Sequence, residues 1–423
     1  MKNITLLMTL ITLTLSLDAF SQCGGAAGSF RVNPDLSPGG FVANTAYVDS
    51  AVYTQVSTEV CDSAKISGPA SLLGLTVVKG NAVINSYEAP ENVIIENSNV
   101  EGNATVSEAA QVKNGATIRG RAKLWQNVLV IGDLATPGTG PIIEGEAQLR
   151  DLAQIKNQAK VFGKALVKEN ATVQNLAKVY DSATVSGNAI ISNSARVYGK
   201  SQVSESAVIK DNSHVFEEAS VYGIAVISKF AKVYGFSQIG YATTVTDNAE
   251  VYGHAYIQVP ATADFCGVYG TAKVYDQVQM YDASFIKGKA IVNGSVILSN
   301  GYVDDSAIVS ENALVFNARV IGEAIVKGSA QILAGEVSES AQVYGNAKLH
   351  NGNPHISGSA QVFQGAVIQE DAFVSGRGQV YGSATVKGQV FQGGQVSGSA
   401  TVESTGVVAG NANVKALQSL LIG

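Results

Sequence analysis

Read in sixes from Ala153, the chain repeats one pattern of apolar and polar positions as far as Gln258: AQIKNQ, AKVFGK, ALVKEN, ATVQNL, AKVYDS and onward. The first place holds Ala, or Ser or Thr in its stead; the third is Val or Ile; the fifth favours Gly, Asn, Asp and Glu. Self-similarity at a fixed period marks a repeat architecture and outranks any local reading. Places one to three predict a short strand whose first and third side chains face an interior, with the second and fourth turned to solvent. Place five predicts a sharp turn with positive φ, where Gly, Asn and Asp are least strained. A strand this short cannot bury its face alone. Stacking many coils into a solenoid lets each strand pair with the coils above and below.

The fourth place counts the sixes in one coil. Phe162, Tyr180, Tyr198, Phe216, Tyr234 and Tyr252 occupy it every eighteen residues, with Tyr222 an extra aromatic. Aromatics make up only 7% of the chain, so chance placement is excluded. Three sixes per turn predict a three-sided prism, with rings about 4.8 Å apart along one edge, within stacking range. One face then carries Lys160, Lys178, Arg196, His214, Lys232 and Glu250 at the second place, a mostly basic column beside the rings. The next carries Leu166, Thr184, Gln202, Ser220, Gln238 and Tyr256, ordinary polar surface. The third carries Thr172, Ile190, Val208, Val226 and Thr244, an apolar β-branched column pointing outward.

The same small-x-branched pattern extends in both directions and divides the chain into 1–21, 22–57, 58–414 and 415–423. Residues 22–57, with Pro34, Pro38 and paired glycines, read as an irregular linker and first-coil cap, and KALQSLLIG as the closing cap. Residues 132–140 break phase as a corner loop, and 261–271 read as a hexapeptide with five extra residues, after which Lys273 and Tyr275 resume the aromatic-basic face. Slips near 299–306, 317, 335–340 and 350–354 read as short corner insertions. Near the end Gln342, Gln361, Gln379 and Gln389 precede Tyr344, Phe363, Tyr381 and Phe391, so glutamine replaces the cations. About twenty coils would make a rod on the order of 100 Å long, whose terminal strand edges need covering.

Composition adds the compartment. Lys2, an apolar run from Ile4 to Leu17 and Ala19-Phe20-Ser21 form a secretory signal, predicting a secreted, periplasmic or cell-surface protein beginning at Gln22 or Cys23. A lipid anchor on Cys23 is the rival, against which Gln22 stands as a poor lipobox residue. The apolar run is too short to span a bilayer with assurance and no later segment does. The net charge of -6 argues against a nucleic-acid partner. Three cysteines are too few for a disulfide scaffold; in an oxidising compartment Cys23 and Cys61 are placed to pair and pin the cap, the alternative being three free thiols.

The sixfold repeat resembles the hexapeptide-repeat proteins over nearly all of the chain after the signal. That resemblance implies a left-handed triangular parallel β-helix, commonly trimeric, in a family containing acyltransferases and zinc carbonic anhydrases. This chain departs from the enzyme pattern: Tyr, Phe, Ser or Lys follows the aliphatic residue and the turn residue comes one later. In this it looks like the long, degenerate bacterial members without assigned chemistry.

The histidines carry the enzyme alternative, a hexapeptide-type acyltransferase acting outside the cytoplasm, which needs a histidine base over an acceptor hydroxyl. His214 lies in the basic column and His254 at a corner, neither with an evident acidic partner. Export argues against this reading, because acyl-CoA donors are cytosolic. His350 and His355 have the spacing of the zinc pair in hexapeptide carbonic anhydrases, but no histidine supplies the third ligand that zinc hydration needs, so no metal or cofactor is expected. The aromatic-basic face suits a glycan, whose sugar faces would lie on the rings and whose acidic groups would meet the cations, or an envelope protein, against the plainer reading that its rings only stack and cover lysine stems, stabilising the rod. The apolar column suits self-association, as a homotrimer. The expected function is therefore a structural or adhesive rod.

Overall fold

The structure, a computed structural model, describes residues 22–86, 92–133, 135, 139–259, 265–415 and 419–420. The signal expected over 1–21 lies outside them. The described chain is a three-sided parallel β-solenoid of about 20 turns with almost no helix. Each regular circuit contributes one two- or three-residue strand to each of three sheets, here I, II and III in the order the chain visits them. The eighteen-residue register is direct: Lys178 pairs with Lys160 on sheet I, Thr184 with Leu166 on sheet II, and Ile190 with Thr172 on sheet III.

The interior follows from places one and three. Ala177, Val179, Ala183, Val185, Ala189 and Ile191 are all fully buried, as are their counterparts in the coils above and below. Burial of each Val or Ile side chain is worth about 1.5–3 kcal/mol. Ala sits where the wall bends, and Val128, Val278 and Val296 fill the same buried place in other coils. Where Ser replaces it, the hydroxyl donates to the carbonyl three residues back, as Ser201 does to Tyr198 (2.8 Å) and Ser237 to Tyr234 (2.9 Å), so no buried donor is stranded.

Place five does more than turn the chain. Asp181 (φ 59°) and Glu217 (φ 60°) sit in the left-handed region, which costs an L-residue roughly 1–2 kcal/mol. Their carboxylates accept the amide N–H of the turn residue one coil up: Gly199 to Asp181 at 3.2 Å and Gly235 to Glu217 at 2.9 Å. Where place five is glycine, the coil above packs closely over it. A Cβ on Gly163 (φ 72°) would lie 2.9 Å from the Asp181 nitrogen.

The three corners are not equivalent. From the second place of sheet I to that of sheet II the step is six residues in every described coil, from Glu59 and Lys65 to Gln395 and Thr401. Most length changes fall between sheets II and III, but the longest, seven extra residues between Leu129 and Ile142 where a corner loop was expected, and a one-residue deletion between Ile94 and Asn99 fall between sheets III and I. Five extra residues enter between Val83 and Ile94 and five more between Tyr256 and Gly267. The slips near 299–306, 317 and 335–340, expected as insertions, are deletions. Tyr302, Arg319 and Glu336 each stack seventeen residues after the residue below, and Asn300 (φ 51°), Asn317 (φ 47°) and Gly335 (φ 86°) make the shortened turns. The pattern is the same whether a corner loses one residue or gains five, so phase alone could not tell them apart. His350–Pro354 is a true insertion, giving a nineteen-residue step from Glu336 to His355.

Stacking starts within the stretch expected as linker and cap. Strand Pro38–Ala43 already pairs in parallel with Glu59–Val60, and Gly28–Val32 folds back on it antiparallel. Arg31 donates from its guanidinium to the carbonyls of Val48, Asp49 and Ser50, capping the open lower edge of the first coil. Cys23 and Cys61 form a disulfide that ties the amino-terminal turn to sheet I. The closing cap expected over 415–423 lies largely outside the described residues; strand Ser419–Leu420 pairs with Thr401–Val402.

Candidate functional site

The outer face of sheet I gathers the residues singled out for binding. Lys160, Lys178, Arg196, His214, Lys232, Glu250 and Lys273 occupy one column in consecutive coils. Beside it, at the corner leading to sheet II, stand Phe162, Tyr180, Tyr198, Phe216, Tyr234, Tyr252 and Tyr275, with ring centroids 4.7–4.9 Å apart and planes within 8° of parallel. The resumption at Lys273 and Tyr275 is as expected. Tyr222 lies on another corner, edge-on to Tyr241 at 5.9 Å.

The stacking has a chemical consequence that spacing alone did not reveal. Each interior ring has both faces covered by its neighbours. The ladder therefore offers a ligand ring edges and hydroxyls, with open faces only at its ends. Burial raises the pKa of the Tyr180, Tyr198 and Tyr252 hydroxyls, and that of Tyr234, beside Glu250, reaches about 12. These groups remain O–H donors at neutral pH.

The basic column divides in two. Lys232 pairs with Glu250 at 3.0 Å and Lys273 approaches the same carboxylate at 3.8 Å. Lys160, Lys178 and Arg196 have no ion-pair partner among the described residues. They line a groove of about 490 Å³ on the sheet III side of the ladder, with Thr117 and Ile142 below, Gln158, Leu176 and Ser194 along the rim, and Thr139 and Gly140 beside the lower end. His214, edge-on to Tyr198, has its pKa lowered by burial and then by Arg196 and Lys232, so it is neutral at pH 7.

Thr172, Ile190, Val208, Val226 and Thr244 form an unbroken column on sheet III. Ile190 is the most exposed, at 37%, and the others are half-buried. The column ends where the Tyr269 ring folds over Gly267, the residue stacked on Thr244.

The histidines are dispersed. His254 stacks on Phe236 at 5.0 Å at the corner between sheets I and II. His350 lies on sheet II and His355 on sheet III. His355 stacks on Phe373 at 5.4 Å, with Glu336 Oε1 3.6 Å from Nδ1 and Ser338 Oγ 3.5 Å from Nε2. Neither belongs to a cluster of three ligating side chains among the described residues. The one such cluster, Cys23, Glu59 and Cys61, has its thiols joined in the disulfide.

Two further ladders occupy the fourth-place column of sheet I. Below the rings, Lys79 pairs with Glu101 and Arg119 with Glu144 across successive coils. The extra residues after Ser86 and Gly132 push these partners out of the eighteen-residue count, which hid them from a reading by spacing. Above the rings, Tyr344, Phe363 and Tyr381 stack at 5.0 Å beside Gln342, Gln361 and Gln379. Gln389 leaves this series: a two-residue deletion before it moves it and Phe391 to sheet III, on Phe373. Comparison of the chain with protein-family models and with curated proteins finds no match to either.

Proposed function

We propose that the chain is a secreted or cell-envelope rod, structural or adhesive, that presents the outer face of sheet I to a glycan or an envelope protein. The observation that carries this reading is the unbroken run of seven stacked rings beside a column of cations on one straight edge. Ring edges and tyrosine hydroxyls offer hydrogen bonds, the cations meet acidic groups, and the stacked rings keep the face rigid, so little entropy is lost on binding. We place the chain with the hexapeptide-repeat β-helices on its small-x-branched units. The proposal includes self-association through Thr172, Ile190, Val208, Val226 and Thr244 as a homotrimer, which a single-chain mass by light scattering would remove. The test of the binding role is a glycan array probed with the native chain and with Tyr180, Tyr198 and Tyr234 replaced by Ala. Loss of binding in the folded variant is expected, and undiminished binding would sink the ladder's part in it.

A further inference from the structure

The groove beside the ladder narrows the class of ligand. Lys160, Lys178 and Arg196 stand directly above one another, one coil apart, and like charges so placed across a sheet repel. Some cations elsewhere meet a carboxylate in the adjacent coil, as Lys79 does Glu101, Arg121 Glu146, Lys200 Glu218 and Lys229 Asp247, and others such as Lys123 and Lys348 stand singly. The groove is distinguished by three consecutive coils that each carry a cation without an ion-pair partner among the described residues, and Arg196, after burial, adds to the lowering of the His214 pKa one coil up. The cations are aligned along the rod axis at the coil pitch, which the rings of the same coils set at 4.7–4.8 Å.

We propose that this groove binds a linear acidic polysaccharide lying along the rod axis, with the carboxylates on one face of the chain meeting cations of the column. The inference rests on the glycan reading above and makes it specific. A sugar ring in an extended chain advances the polymer by about one coil pitch, so carboxylates on one face of the chain recur at whole multiples of that pitch, the spacing of the Lys160, Lys178 and Arg196 column. The hydroxyls of Tyr180 and Tyr198 stand on the ladder side of the track to hydrogen-bond the sugar. A single-stranded nucleic acid is disfavoured, because its bases seek open aromatic faces and the interior rings have none. The corner between sheets I and II, which bounds the ladder, keeps one length in every described coil, so no loop interrupts that side of the track.

The experiment measures binding of polygalacturonate, neutral dextran and single-stranded polyadenylate to the full exported chain. It compares K160Q/K178Q/R196Q with K123Q/K348Q/R377Q, which changes net charge equally at exposed sites elsewhere. The expected result is polygalacturonate binding that weakens as salt rises, falls at least tenfold in the groove variant and is unchanged in the control. Circular dichroism and the melting temperature verify that both variants fold. Equal loss in both variants, no loss in the groove variant, equal binding of dextran, or tighter binding of polyadenylate would each overturn the inference. If the groove variant still binds dextran or another neutral glycan and the tyrosine variant does not, the adhesive reading survives and the polyanion track alone fails.

Discussion

The corner between sheets I and II and the corner between sheets II and III are built from the same repeat, yet one never changes length in the described chain and the other changes most often. The difference lies in what stands on them. The first carries the ion pairs Lys79–Glu101 and Arg119–Glu144 and continuous aromatic ladders at Phe162 to Tyr275 and again at Tyr344 to Tyr381, each member needing its neighbour one pitch away. The second has no long ladder, so Asn300, Asn317 and Gly335 can each shorten a turn without costing a neighbour its partner. Regularity is kept where side chains interact from coil to coil and relaxed where they do not. A straight, rigid edge on one side and a tolerant edge on another suit a rod that presents one surface.

The comparison can be broken most severely by deletion. Removing Lys200 shortens the first corner beneath Tyr198, tilting its ring out of the ladder. The expected loss is roughly 2–5 kcal/mol from two ring contacts and a strained turn. Removing Ser206 with Glu205→Asn copies the natural short turn on the second corner and should cost under about 1 kcal/mol. Calorimetric melting of the two variants decides, and equal losses would erase the distinction. Next in size, Tyr198→Ala removes two stacked contacts and should cost about 1–3 kcal/mol beyond lost area. By contrast, Tyr241→Gly on the second corner trades an edge-on contact for relief of a left-handed φ of 51° and should change stability little. Chemical denaturation of the two compares them directly.

Acid sharpens the role of place five. Hydrogen bonds hold the Glu169, Asp211 and Asp247 carboxyls below their ordinary pKa values of 4.5, 3.8 and 3.8, with the Lys168 or Lys229 side chain the largest cause for Glu169 and Asp247 and the Lys229 amide for Asp211. Because the folded values are depressed, their stabilisation is complete above the ordinary values and drains away as pH falls through the folded ones. The melting temperature should therefore drop below about pH 4.5, and Asp211→Asn should flatten part of that fall. The smallest effect concerns the cations: Lys178→Gln removes like-charge repulsion and should stabilise by a few tenths of a kcal/mol at low salt, less at high salt.

Much of the fold was legible because places one and three see the same interior in every coil, so the sequence had to repeat there. The faces followed from Lys160, Thr172 and Phe162 recurring at eighteen. What stayed hidden depends on relations between coils that a linear pattern does not carry. Glu217 at a turn looks like a poor choice until the amide of Gly235 is seen above it. The ion pair of Arg119 and Glu144 is masked by the loop between them. That the rings close one another's faces follows only once their planes are known, and it shifts the candidate site from ring faces to the cations and hydroxyls beside them.

The central claim is that residues eighteen apart are neighbours while residues six or twelve apart face different sides. Pairs of cysteines introduced at 178 and 196, 178 and 184, and 178 and 190, treated with a short bifunctional thiol reagent and read by mass spectrometry, test it directly. The account predicts rapid intramolecular linkage of 178 with 196 and none for the two closer-spaced pairs. Linkage of 178 with 184 or 190 in preference to 196 would contradict it.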